Sequence, residues 1–366
     1  MRVMAMPCDR GGCGWYRVRQ PMAMIKEFTE HDTYIVEKDS DAMEDIVKAL
    51  PSVDVVVVRQ GVPIKETKAK FTELYGKELK AKWVMDIDDN MELISPYSDH
   101  YRDNGIEEIY DKNLGKWLWK DGESGLDIAQ NKLKIKKAEE SLVDADLVTA
   151  TTDKLAEFAK GFNKNVRVLP NSINFDSLWK LPLKTNKQLR VGWSGGTSHY
   201  EDWFSIKEPL NKLLREYKFK LVMAGNHFKG TIDEDLRHLV EYHPWIDFTG
   251  HSYRMMCLNL DLAIIPLADL PFNHFKSSIK WYEMSAIRVP SVVSMVGPYP
   301  IDIVDGDTAL GYVDAISFVK SLSSLLESVS LRKKIGKNAY NWVFKHRNAK
   351  TNARMWTDAY KSLWTN

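Results

Sequence analysis

Short apolar runs recur along the chain, and stretches with helical spacing separate them. Arg2–Met6 reads as the first strand. It runs into the glycine-rich loop Pro7–Gly14 and then a helical pattern near Tyr16–Phe28. Tyr34–Glu37 reads as a strand and Asp41–Leu50 as a helix. Asp54–Arg59 (DVVVVR) is almost continuously apolar, so neither face can meet water; this predicts a strand buried on both sides of a parallel sheet. Ile64–Lys80 is a lysine-rich helix, and Trp83–Ile87 is a buried strand that stops at Asp88-Asp89. Ile106–Trp119 shows no clear period. Gln130–Val143 is an amphipathic helix, Leu147–Thr151 a strand, Lys154–Phe158 a helix, and Val166–Leu169 a strand ended by Pro170-Asn171. Alternating strand and helix predicts an α/β fold with a parallel sheet.

After Leu181–Leu189, which reads as a linker, the alternation starts again. Strands are expected at Arg190–Trp193, Lys218–Ala224, Ile246–Phe248, Leu260–Pro266 and Ser291–Ser294. Helices are expected at Trp203–Glu216, Ser278–Ile287, Ser317–Ser328, Leu331–Phe344 and Ala349–Trp364. The 366 residues suit two domains. The expected division is 1–180, joined by a returning segment 346–366, and 181–345. A cleft between two such sheets is a preferred ligand site.

Composition narrows this picture little. Lys and Arg number 51 against 50 Asp and Glu, a net charge of +1, so the whole-chain basic footprint of a nucleic-acid binder is absent. Three cysteines supply no disulfide framework and fit a reducing cytoplasm. Cys8 and Cys13 lack a second Cys/His pair for zinc. The start MRVMAMPCDRGG carries no signal-peptide pattern, and no run is long enough for a membrane span. Twelve tryptophans offer core volume or stacking surfaces.

In open α/β sheets ligands bind beyond the carboxyl ends of the strands. Those loops hold Ser194-Gly195-Gly196-Thr197 with His199, Gly225-Asn226-His227, Gly250-His251 and Asn273–Ser278. The last opens a helix. Ser277 or Ser278 suits its cap, and the free N–H groups and dipole there favour an anion. Lys276, Lys280 and Glu283 share a face by their spacing. That face suits a nucleoside diphosphate, with cations and amides on the phosphates and the carboxylate on the ribose. It equally suits a surface helix with a Lys280–Glu283 ion pair. Gly195-Gly196 reads as a close-approach loop or a plain turn. It is not a Walker loop, and Gly11–Gly14 is not a dinucleotide fingerprint. Asp86, Asp88 and Asp89 read as caps, as contacts to acceptor hydroxyls or as metal ligands.

VGWSGGTSHYED (Val191–Asp202), DFTGH (Asp247–His251), LDLAIIPL (Leu260–Leu267) and FNHFKSSIKWYEMSAIRVPSVVS (Phe272–Ser294) occur in this order. Together with VRVLPNSINFDSLW (Val166–Trp179) they resemble the retaining glycosyltransferases of glycosyl transferase group 1, family 4. The resemblance runs from about Leu147 to Phe344. It implies the GT-B fold: two Rossmann-like domains facing across a cleft, with a C-terminal helix crossing back. It also implies a UDP- or GDP-linked sugar as substrate, no cofactor and no metal. Donor-binding residues would be Gly195, Gly196, Thr197, His199, Asn226, His251, Lys276, Ser277, Ser278, Lys280 and Glu283. Glu283 matches the second acid of the family's E-x7-E motif, and Phe275 stands where the first would be. Asp88, Asp89 and Lys280 would serve catalysis. Gly12, Gly14, Trp15, Tyr16 and Arg17 would lie on the acceptor side.

VMDIDDN (Val84–Asn90) and KWLWKDGE (Lys116–Glu123) also resemble glycosyltransferases of tailed phages, some of which modify hydroxymethylated pyrimidines in DNA. The expected acceptor is a glycan, a lipid-linked glycan or such a base, reached in the cytoplasm, the host's if the chain is phage-encoded. Lysines 65, 68, 70, 77, 80 and 82 read as a phosphate-facing surface or a solvated one. Two competing readings are a metal-dependent GT-A enzyme using Asp86 and Asp88, and a nucleotide-sugar-binding module without activity.

Overall fold

The computed structural model describes residues 1–6, 11–36, 48–177, 179, 186–226 and 228–365. Most of the expected helix Asp41–Leu50, the loop residues 7–10 with Cys8, His227 and most of the expected linker lie outside the described residues.

The first lobe is built on a parallel sheet of β1 (Arg2–Ala5), β2 (Asp32–Ile35), β3 (Val55–Arg59), β4 (Lys82–Ile87), β7 (Leu147–Ala150) and β8 (Val166–Val168), in the order β2-β1-β3-β4-β7-β8. Between β4 and β7 lies an antiparallel hairpin of β5 (Ile109–Asp111) and β6 (Lys116–Trp119). The second lobe is a parallel sheet of β9 (Arg190–Gly195), β10 (Lys220–Gly225), β11 (Val240–Pro244), β12 (Leu262–Ile265), β13 (Ser291–Ser294) and β14 (Leu310–Tyr312), in the order β11-β10-β9-β12-β13-β14. Chain order reverses between β1 and β3 in one sheet and between β9 and β12 in the other. At both reversals the neighbouring connections leave to opposite sides and open a crevice.

Each sheet is buried on both faces, as the valine-rich runs require. Val56 and Val58 of β3 enter one core with Trp83 and Met85. Val55 and Val57 enter another with Val3, Val84 and Leu147. In the second lobe Val191 and Trp193 pack with Leu221, Met223 and Leu262, while Val222, Ala263 and Val293 pack on the opposite face. The Ala349–Lys361 helix returns to the first lobe. Its Trp356 and Tyr360 join the core of Val3, Val18 and Met22.

Several boundaries differ from the periodicity. The Lys-rich helix stops at Tyr75, because Gly76 takes a left-handed φ of 65° and caps it. Trp203–Glu216 is two helices, Tyr200–Phe204 and Lys207–Tyr217. Pro209 lacks an N–H, and its ring would strike the carbonyl of Ser205 in one continuous helix. The third strand of the second lobe is Val240–Pro244. Ile246 lies beyond it, and Phe248–Gly250 is a 3-10 turn headed by Asp247, which accepts from Thr249 N at 2.9 Å. As a half-exposed edge strand, Val240–Pro244 has no apolar run to betray it.

The first helix contains a π-helical turn at Trp15–Arg19. Such turns carry one extra residue and re-aim side chains, often at functional positions. Here consecutive Tyr16 and Arg17 are both buried.

Candidate functional site between the two sheets

The carboxyl ends of both sheets border one cavity of about 280 Å³. The expected residues Gly12, Tyr16, Asp88, Asp89, Gly195, Gly196, His199, His251, Lys276, Ser277, Lys280 and Glu283 all line it.

The second-lobe wall follows from strand ends. β9 finishes at Gly195, where an added Cβ would lie 3.0 Å from both the Lys280 ammonium and the His199 ring. Gly225, ending β10, has φ +101°, and a Cβ there would come within 2.5 Å of the Gly195 carbonyl oxygen. Both positions therefore need glycine to keep the backbone close to the cavity. Asn226 does not line the cavity; its backbone N–H donates to Gly195 O at 2.8 Å and fixes that loop. Thr197 opens the 3-10 turn Thr197–His199, and its side chain is outside the described set.

The helix Ile279–Ala286 points its amino end at the cavity. Ser278 stands at its cap position, but its hydroxyl makes no capping bond; buried, it has no hydrogen-bond partner among the described residues. Ser277, by contrast, accepts from Asn171 Nδ2 at 2.9 Å. Burial pulls the Lys280 ammonium down to about 7, against the pull of Asp202. It makes no hydrogen bond among the described residues and sits 5.8 Å above the Trp193 ring. A desolvated cation that has no ion pair among the described residues gains most from an incoming anion. His199 faces it. Burial, then Lys280, holds its ring down to about 4, so the neutral imidazole donates from Nδ1 to Asp202 at 2.6 Å. Its Nε2 then carries a lone pair. Asp202 is itself held by Ala268 N at 2.8 Å and Asn273 Nδ2 at 2.7 Å.

Glu283, one turn on, is buried. Its Oε1 accepts from the Tyr16 hydroxyl at 2.7 Å and from His251 Nε2 at 3.0 Å. A carboxylate only accepts, so His251 must be the donor. His251 is stacked on Phe248 at 4.2 Å, and Phe248 also meets Tyr16 edge-on at 5.4 Å. The sequence ambiguity is thereby resolved: Lys280 and Glu283 form no ion pair with each other, and neither is a surface residue.

The first-lobe wall is acidic. Asp88 pairs with Arg59 at 2.5 Å. Burial, with Asp88 beside it, pushes the Asp89 carboxyl up to about 6 against the pull of Lys276, whose ammonium is 3.9 Å away. Cys13 joins them, and the three offer ligand atoms within 4.8 Å of one another. Asp86 does not belong to this wall. It lies in the core, accepting from Arg17 at 2.7 and 3.0 Å and from Thr149 at 2.6 Å. An Asp86/Asp88 metal pair is thus ruled out by geometry.

Arg17 corrects the acceptor-side expectation for the same reason. It is fully buried, paired with Asp86, and donates to Leu169 O and Asn171 Oδ1. Gly14 is buried inside the first helix, and Trp15 packs against Phe248 rather than lining the cavity. Phe275, standing where an acid was expected by resemblance, meets Phe158 at 6.4 Å and packs on the core of the first lobe. That position is spent on joining the lobes.

The sequence reading missed Cys13, Asn171, Trp245, Arg254 and Tyr299 as lining residues. Asn171 follows the strand end at Val168 and could have been found by the strand-end rule. Trp245 was hidden by the misplaced strand. Tyr299 had no sequence signal.

No protein-family model matches the sequence, and no curated protein sequence matches it. Solved structures do match. Sucrose-phosphate synthase from Thermosynechococcus elongatus superposes with a TM-score of 0.64 at 13% identity, covering 100% of both chains. HepE from Anabaena, solved in complex with UDP, gives 0.62 at 12% identity over 99% of this chain and 100% of its own. A glycosyltransferase from Rickettsia africae gives 0.61 at 12% identity over 100% of this chain and 99% of its own. With two parallel Rossmann-like sheets facing one cavity and a returning C-terminal helix, the chain has the GT-B fold of these structures.

Proposed function

We propose that this chain is a glycosyltransferase that moves a sugar from a UDP- or GDP-linked donor to a hydroxyl acceptor. The observation that carries the reading is the second-lobe wall. There the half-buried Lys280, with no ion pair among the described residues, stands at a helix amino end, one turn before a buried carboxylate. The HepE structures hold UDP and UDP-glucose, which supports this ligand class for the shared fold.

In this reading Lys280, Lys276 and the free amides of the Ile279–Ala286 helix meet the diphosphate, and Gly195 and Gly196 let the backbone approach it. Glu283 accepts from ribose hydroxyls. As the bond from the anomeric carbon to the phosphate oxygen breaks, negative charge grows on the diphosphate, and the ammoniums stabilise it most at that point. The acceptor oxygen bonds to the anomeric carbon, and its proton passes to the leaving phosphate oxygen. Retention of configuration is what the Phe272–Ser294 resemblance implies. No metal or cofactor is required by this scheme, and the low cysteine count fits a cytoplasmic setting.

A glycan hydroxyl fits the first lobe better than a DNA base. The wall facing the acceptor holds Asp88 and Asp89, whose carboxylates accept from hydroxyls but find no proton to accept on a phosphodiester. Lys77 and Lys80 precede β4 and Lys82 opens it, at the end of the sheet opposite the cavity, and Lys82 pairs with Asp146.

The test is transfer of labelled sugar from a panel of UDP- and GDP-sugars, with oligosaccharides and hydroxymethylated duplex DNA as competing acceptors. Label in DNA alone would replace the glycan reading; no transfer or nucleotide release with any donor would remove the enzyme reading. Proton NMR coupling at the new anomeric centre decides retention. Loss of transfer with EDTA would overturn the metal-free scheme.

A further inference from the structure

The Tyr16–Glu283 contact crosses from one lobe to the other and is more specific than the fold requires. Glu283 uses a single oxygen, Oε1, for both of its protein donors, Tyr16 and His251. No described residue donates to Oε2, and Glu283 lines the cavity. Two donors on one oxygen fix the carboxylate plane and leave the second oxygen for a ligand. The two donors are held in turn. Phe248 stacks on His251 and receives the edge of the Tyr16 ring, while Trp179 meets His251 edge-on at 6.1 Å. Tyr16 sits in the π-helical turn, and the next residue, Arg17, is anchored to Asp86 in the first-lobe core.

We propose that Tyr16 is a positioning residue which sets Glu283 for the ribose hydroxyls, so that ribose recognition is assembled from both lobes and exists only where they meet. This rests on the nucleotide-sugar reading given above. Its hydroxyl is taken up by Glu283, so Tyr16 acts through that carboxylate. Burial and the adjacent Glu283 push the phenol well above its ordinary range, so it stays a donor at any physiological pH. Other contacts close the same seam: Asn171 to Ser277, Thr152 to the Phe275 carbonyl at 3.3 Å, and Lys276 to Asp89. None of these reaches Glu283.

The experiment is calorimetric titration of UDP, GDP and their 2′,3′-dideoxy counterparts into the wild-type chain and Tyr16→Phe. Phenylalanine keeps the ring against Phe248 and removes only the hydroxyl. For whichever nucleotide the wild type binds, Tyr16→Phe should weaken binding about tenfold, the value of one lost hydrogen bond to a charged group. The dideoxy nucleotide should bind both proteins equally, because it has no hydroxyl for Glu283 to read. A structural role alone would weaken both ligands alike, and that result overturns the proposal; so does an unchanged affinity for the full nucleotide. If the wild type binds neither UDP nor GDP, the nucleotide reading itself falls. Glu283→Gln provides a second route. In that background, adding Tyr16→Phe should cost no further affinity, and a full additive loss would overturn the coupling.

Discussion

The two walls of the cavity are built alike and charged oppositely. Both come from loops at the carboxyl ends of six-stranded parallel sheets. The second-lobe wall brings Lys276 and Lys280; the first-lobe wall brings Asp88 and Asp89. Their supports differ too. Lys280 has no hydrogen-bonded partner among the described residues, whereas Asp88 is paired with Arg59, and Asp86, behind the wall in the core, with Arg17. The second-lobe wall keeps Lys280 unpaired among the described residues, while Lys276 reaches across to Asp89 and Asp88 is met by Arg59. An anion is therefore drawn to one side and a hydroxyl-bearing group tolerated on the other. The contrast teaches that the same architecture reads two chemistries through the loops and not through the sheets.

Four substitutions and a pH series would break or sharpen this contrast. The largest effect belongs to the satisfied side. Asp86→Ala leaves Arg17 buried without its counter-charge and should lower stability by about 3–5 kcal/mol. Urea unfolding followed by tryptophan fluorescence measures this, and a loss confined to catalysis would mean the pair belongs to the site. Next, Lys280→Ala should cut turnover by about 100-fold with little change in melting temperature, since it removes charge that matters most in the transition state. Third, Glu283→Ala should weaken donor binding by about tenfold or more and leave the acceptor KM alone. Asp89→Asn, on the opposite wall, should raise the acceptor KM several-fold and leave nucleotide affinity within about twofold. If Asp89→Asn acts on the nucleotide, the walls are not separate.

The smallest effect is the pH dependence. A diphosphate bound beside Lys280 raises its pKa above the free value of about 7. The gain is fully present below the free value and is lost as pH rises through the bound one. Lys276, Glu283, Asp202 and His199 face the same group, and His199, near 4, stays neutral across the range. Affinity for a nucleotide-sugar, whose diphosphate does not titrate here, should fall a few-fold between about pH 6 and 8.5. Lys280→Arg, permanently charged, should flatten the curve.

Much of this molecule was legible in its pattern. Buried valine runs such as Val55–Arg59 place parallel strands by themselves, and the strand-end rule then names Gly195, Lys276, Lys280 and Glu283. What stayed hidden depends on tertiary context. Asp86 and Asp88 look interchangeable in D-x-D-D, but Asp86 is still inside β4 and is held in the core by Arg17, whereas Asp88 lies past the strand end and reaches the cavity. Tyr16 and Arg17 likewise read as two acceptor-side residues opening one helix, and only the π turn and the partner lobe separate their fates. Edge strand β11 escaped because exposure removes the apolar signature, and with it went Trp245.

The π turn makes Tyr16 and Arg17 neighbours in sequence with anchors in different bodies, one on Glu283 and one on Asp86. Two adjacent rungs thus share a single helical phase. An insertion or deletion of one residue in the segment from Gly12 to Arg19 would rotate both away together, so a frame slip here would be read at once as a weaker scaffold and a blind binding site.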